Sequence, residues 1–251
     1  MGTSASGKGP NSRSPLVPPH ADANPNTPVP EPAPQRFRSF RTEFGRVAAG
    51  AAGASLRSAV REYAREATGG SAVGPRRFGT AYVAGANLAQ ALNQLRSGGP
   101  AQGPTGVDLA QLRGQPIDYA AQELARALAP ENADAEMVAN AIQEAVAEAL
   151  PDVEVFDPAT ITDDQLIHLL VEFFSRILFQ EITTAAGDAW NKSTSSRQTT
   201  RVEADLLELI RVTMDKHLSP RLANGLAGFT REQFQAIERA AVDDVWREWE
   251  S

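Results

Sequence analysis

Nine of the seventeen prolines fall within the first 35 residues. Proline holds φ near about −65° and has no amide hydrogen to donate. A stretch this dense in proline cannot continue as a helix or join the middle of a sheet. Residues 1–35 are therefore expected to form an extended or disordered tail. Its first part, MGTSASGKGPNSRSPLVPPHAD, has no periodic apolar pattern, and Leu16 and Val17 sit between prolines. A tail that cannot fold alone is best used as a handle for another protein. Thr3, Ser4 and the compact run Pro15, Leu16, Val17, Pro18 and Pro19 are its candidate partner-binding residues.

The rest of the chain reads as helix after helix. Phe37, Phe40, Phe44 and Val47 recur at helical spacing, as do Leu56, Val60, Tyr63 and Ala67. Gly69 and Gly70 end the second helix, and Pro75 opens a third that reaches about Leu95. A run of glycines and prolines from Gly98 to Gly106 follows. Shorter amphipathic helices are expected from Pro116 and from Ala133, the second ending at Leu150. Between Pro151 and Pro158 the pattern breaks; Val153 and Val155 suit a short strand, but no partner strand is evident. Capping boxes are expected at Thr162/Gln165, Thr200/Glu203 and Thr230/Gln233, with Ile161/Leu166 and Phe229/Phe234 as hydrophobic staples. The first box opens an apolar helix reaching about Trp190, whose polar residues His168, Glu172, Arg176 and Gln180 form one edge. The expected fold class is all-α: a multi-helix assembly preceded by an extended proline-rich tail. The expected division is a tail over 1–35, an arginine-rich helical region over 36–98, a linker over 99–115 and an acidic helical bundle over 116–251.

Charge divides the chain in the same direction. The formal net charge is −7, yet residues 1–80 carry +6 and residues 81–251 carry −13. Arg57, Arg61 and Arg65 form a stripe at i, i+4 and i+8, where like charges repel by a few tenths of a kcal/mol. An anion or a partner carboxylate would relieve that repulsion, as would Glu62 and Glu66. Arg76 and Arg77 follow at the next helix start and extend the candidate contact set.

Chemistry-bearing motifs are scarce. There is no cysteine, which removes disulfides and thiolate catalysis. His20, His168 and His217 lie far apart and lack metal-ligand spacing. Gly2 to Lys8 matches the glycine–lysine spacing of a phosphate loop, but Gly9 stands where a hydroxyl is needed and no strand precedes it. Neither a metal nor a cofactor is expected, and the chain is read as a non-enzyme. No run of apolar residues is long enough to span a membrane, nor does the N-terminus resemble a secretory signal, so a cytoplasmic protein is expected. The start Met-Gly-Thr-Ser-Ala-Ser favours removal of Met1, which would free the α-amine of Gly2. Such an amine has a pKa of about 8, so some of it is an uncharged nucleophile at neutral pH.

The first 22 residues, with FRSFRTEFGRVAAGAAGASLRSAVREYAREATGGSAVGPRRFG over 37–79, resemble the QatB family of the bacterial Qat anti-phage defence system. The remaining residues are similar in length and helical character. This resemblance implies a non-enzymatic subunit working beside an ATPase, a TatD-like nuclease and a QueC-like protein. QueC-like defence enzymes are associated with attaching a deazaguanine group to an N-terminal glycine, which implies Gly2 as the modified residue here. A second reading, a nucleic-acid-binding adaptor, rests on Arg36, Arg38, Arg41, Arg57, Arg61, Arg65, Arg76 and Arg77. It would give steeply salt-dependent binding. The phenylalanines and Tyr63 sit on expected core faces, leaving no stacking platform for bases.

Overall fold

A computed structural model describes residues 9–11, 13–104 and 106–251. The described residues hold eight α-helices and, apart from two isolated bridges, no β pairing. The helices are α1 (Arg38–Ala48), α2 (Leu56–Glu62), α3 (Gly79–Arg96), α4 (Ile117–Leu128), α5 (Ala135–Ala149), α6 (Asp163–Ala186), α7 (Ser196–Leu222) and α8 (Arg231–Glu250). The all-α expectation is thereby met.

The chain forms two packed units. The first contains residues up to Arg77 together with Leu178–Val212 and Asp243–Ser251; the second contains Phe78–Ile177 and Thr213–Val242. Each of α6, α7 and α8 contributes one segment to each unit.

The core of the first unit is a row of aromatic rings. Trp190 meets Phe44 edge-on at 4.7 Å, Phe44 lies 5.7 Å from Phe40, and Phe40 lies 5.2 Å from Tyr63. Trp246 continues the row 6.2 Å from Tyr63, and Trp249 closes it at 5.2 Å. The phenylalanine spacing that marks α1 as amphipathic thus delivers two rings to this row. Beyond Glu62, α2 widens into a π turn over Tyr63–Ala67. The turn ends at Thr68, whose hydroxyl donates to the Ala64 carbonyl and accepts from the Trp246 indole N–H at 3.0 Å.

In the second unit α4 and α5 pack against each other, and α3 packs on α4. Tyr82, Leu88, Leu92, Leu124, Ile142, Phe156, Phe173, Phe174 and Phe234 fill the interior. The glycine- and proline-rich run lies inside this unit, which begins at Phe78. Ala101 in that run is fully buried, and its carbonyl accepts from the Leu109 amide. The segment around Val155 does find a partner. Val155 bridges Pro116, the Gly114 amide donates to the Phe156 carbonyl, and the Phe156 amide donates to the Gln115 carbonyl.

Two of the three capping boxes form reciprocally. The Thr162 amide donates to Gln165 Oε1 and the Gln165 amide to Thr162 Oγ1, at 2.9 and 3.1 Å. At Thr230 and Gln233 the pair measures 2.8 and 3.3 Å, and Phe229 stacks edge-on against Phe234. The box at Thr200 is a correction: α7 starts four residues earlier, and Ser195 caps it by accepting from the Gln198 amide at 3.2 Å.

Candidate functional site

The described part of the N-terminal segment lies on the first unit, held largely by arginines that bond its main chain. Glycine starts it for a spatial reason. Gly9 has φ +66°, and a Cβ there would come 2.7 Å from both Arg41 Nη2 and the Thr184 carbonyl oxygen. Arg41 donates from Nη2 to the Pro10 carbonyl at 2.6 Å and from Nε to the Ala185 carbonyl at 2.9 Å. Burial lowers the Arg41 pKa, and Asp188 opposes that shift. An Asx turn follows, in which the Arg13 amide donates to Asn11 Oδ1.

Three further arginines continue the clamp. Arg36 is buried and donates to the carbonyls of Ala67, Ser14 and Pro15. Its guanidinium also lies 4.4 Å over the Phe37 ring, which Arg41 approaches at 4.9 Å. Burial, with Arg77 close by, pushes the Arg36 pKa down to about 10, while Tyr63 acts in the opposite direction. Arg77 donates to the Leu16 carbonyl at 2.5 Å and pairs with Glu181 at 2.8 Å. Arg76 grips the loop after the prolines. Its guanidinium forks onto both oxygens of Asp22 at 3.1 and 2.7 Å, and reaches the carbonyls of Asn24, Thr27 and Pro28. The Arg76 carbonyl accepts from the Ala23 amide. A buried guanidinium is stabilised by acceptors around its plane, and a turning proline-rich chain exposes its carbonyls for that purpose.

The PLVPP run is split by this arrangement. Leu16 and Val17 face inward and form a small apolar cluster with Val73 and Val29. Pro15 and Pro19 are exposed, and Pro18 is half-buried. Burying the two aliphatic side chains contributes on the order of 1.5–3 kcal/mol each. Gly69, at φ +83°, brings its backbone against the Leu16 methyls.

The candidate anion-contact arginines separate in the same way. Arg57, Arg61 and Arg65 remain exposed on α2 and its π turn, and Arg61 donates to the Ser251 carbonyl. Arg76 is buried and Arg77 largely so, both turned to the N-terminal segment. Gly2, Thr3 and Ser4 lie outside the described residues. Asp22, which sequence reasoning did not single out, is the acid that completes the clamp. The available signal was its position as one of only five acids in a basic stretch of eighty residues.

No helix among the described residues is long and apolar enough to cross a membrane. Nor do the described residues bring together three or more His, Cys, Asp or Glu side chains able to hold a metal ion. No curated protein and no solved structure matches the chain. One family model does match, described as Qat anti-phage system associated protein QatB, over residues 69–248. That match overlaps the N-terminal motifs quoted above only from Gly69 to Gly79, so the family signal resides in the helices that follow. It spans well over half of the sequence and parts of both packed units, and on that ground the chain belongs to the QatB family.

Proposed function

We propose that this protein, tied to the Qat anti-phage system by its family, is a non-enzymatic interaction subunit that presents its N-terminus to a QueC-like partner for modification at Gly2. An ATPase and a TatD-like nuclease are the other proposed partners, and the cytoplasm is the proposed location. The observation that carries this reading is the arginine clamp. Four buried or half-buried arginines fix the main chain from Pro10 to Pro28. Gly2 stands seven residues before Gly9, so it can lie at most about 25 Å from that anchored point. An anchor of this kind lets a partner recognise the folded unit and the chain terminus together. Pro15 and Pro19 are the outward-facing part of the docking element, and Leu16 and Val17 fix it to the unit.

The nucleic-acid reading draws on a smaller set of charges. Arg36, Arg41, Arg76 and Arg77 already bond the protein's own carbonyls, leaving Arg38, Arg57, Arg61 and Arg65 exposed.

Intact mass after co-expression with the neighbouring system components is expected to show an adduct on the Gly2-containing peptide. The same peptide from protein expressed alone is expected to be unmodified; identical masses in the two samples would sink the modification claim.

Two deletions separate presentation from folding. Removal of residues 2–8 puts Gly9, which packs against Arg41 and the Thr184 carbonyl, directly after Met1, and is expected to abolish modification by taking the terminal glycine out of reach. Removal of residues 2–22 also takes away Leu16, Val17 and Asp22, and is expected to destabilise the first unit by several kcal/mol. Replacing Pro15 and Pro19 by alanine tests docking without touching the buried pair. If complex formation is unchanged by both the short deletion and the proline substitutions, the N-terminal segment is not the docking element.

A further inference from the structure

In the second unit, the buried face of α8 over residues 231–242 follows helical periodicity: Phe234, Glu238, Ala241 and Val242 are its fully buried members. Glu238 therefore occupies a position where the pattern calls for an aliphatic side chain. It is 1% exposed, and neither of its carboxyl oxygens has a hydrogen-bond partner. Room for the carboxyl comes from α3. A Cβ on Gly85 would lie 2.9 Å from Glu238 Oε1 and 2.9 Å from the tip of the Phe174 ring. Glycine at that position thus admits both the acid and the ring.

No hydrogen-bond donor among the described residues reaches the carboxyl. The carboxyl and the Phe174 ring of α6 both border the space over Gly85 of α3. Glu172 and Arg176 of α6 form a loose ion pair at 3.8 Å, and Arg176 pairs more closely with Glu144 and Glu148 of α5, at 3.2 and 3.6 Å. Burial alone raises the Glu238 pKa well above the ordinary 4.5, with no charged neighbour contributing. An isolated carboxylate in such a place is far costlier than a neutral acid.

We propose that Glu238 is a proton-operated element of the second unit: the neutral acid seats against Gly85 and Phe174, and loss of its proton drives residues 231–242 of α8 from that seat. The inference is independent of any role for the N-terminal segment. The folded chain keeps the proton to higher pH than the unfolded chain. The stabilisation is therefore complete below the unfolded value of 4.5 and is lost as pH rises towards and through the raised folded value.

Equilibrium unfolding of the full chain across pH 5–9 provides the test, with Glu238→Gln as the uncharged isostere. In the wild type the unfolding constant is expected to rise about tenfold per pH unit relative to Glu238→Gln, until the folded pKa is passed. Hydrogen exchange, corrected for its intrinsic pH dependence, is expected to show residues 231–242 losing protection with pH in the wild type and not in the variant. Infrared spectra of wild-type protein at the acid end of that pH range are expected to contain a protonated carboxylic acid band that is lost as the pH rises, a reading that needs no variant to fold. Parallel stability profiles, or absence of that band, would overturn the proposal. A stability difference without local loss of protection would overturn the movement of α8.

Discussion

Gly74→Ala is expected to destabilise the first unit by about 3–5 kcal/mol, although it adds only one methyl group. A Cβ at this position would fall 2.0 Å from the Trp246 indole nitrogen and 2.7 Å from the Thr68 hydroxyl. Neither neighbour can yield easily. Trp246 is fully buried between Tyr63 and Trp249, and its indole N–H is committed to Thr68. Overpacking a filled core costs about 1–3 kcal/mol, and stranding the indole N–H adds a similar amount. Denaturant titration followed by tryptophan fluorescence measures the loss. Thr68→Val is the companion: it keeps the space and removes the hydroxyl that accepts from the indole and donates to the Ala64 carbonyl, so about 1–3 kcal/mol is expected. Gly74→Ala must therefore be the worse of the two. A cost below about 1 kcal/mol would mean that the 246 indole does not pack over the 74 backbone.

That contact illustrates where reading the sequence stops. Residues 68–79 announce helix termination and a new helix opened by Pro75; the structure puts a short 3-10 segment over Gly74–Phe78 there, and the α-helix α3 begins only at Gly79. The reason for this particular glycine is a tryptophan near the other end of the chain, and no local pattern encodes that meeting. Capping boxes are local and reciprocal, so two of the three could be placed to the residue. The third failed because Thr200 and Glu203 have the right spacing inside a helix that Ser195 had already started. The arginines present a different difficulty. Their type and clustering are plain, but most of their acceptors are main-chain carbonyls, which every residue possesses. Sequence therefore shows surplus donors without showing whether they face outward to a partner or inward to the protein. Arg57, Arg61 and Arg65 are exposed, whereas Arg36, Arg76 and Arg77 turn inward to main-chain carbonyls. Glu238 was more accessible to inspection, since an acid interrupts the stripe Phe234, Ala241, Val242 and Val245.

Arg76→Met is expected to be as damaging as the glycine substitution, and for an electrostatic reason. Arg76 and Asp22 are an ion pair at 2.7 Å, with their side chains only 7% and 10% exposed. Methionine keeps much of the volume but leaves the Asp22 carboxylate in its enclosure without a counter-charge. It also removes donors from the carbonyls of Asn24, Thr27 and Pro28. Removing one partner of a buried pair costs about 3–5 kcal/mol, chiefly because the other charge stays behind. Removing both partners is a different matter. Asp22→Asn in the Arg76→Met background relieves the stranded charge, and Asn can still accept from the Asn24 amide as Asp22 does now. The double variant is expected to recover on the order of 1–2 kcal/mol of the single variant's loss, a coupling that a double-mutant cycle reads directly. Limited proteolysis supplies the structural readout. Cleavage between Ala23 and Pro34 should accelerate sharply in Arg76→Met and much less in Arg57→Met, because Arg57 is exposed on α2 and lies outside the clamp. Equal cleavage rates in the two variants would show that the segment is not held by Arg76. The clamp would then lose its strongest member, and with it the argument that the folded unit and the N-terminus are presented as one surface.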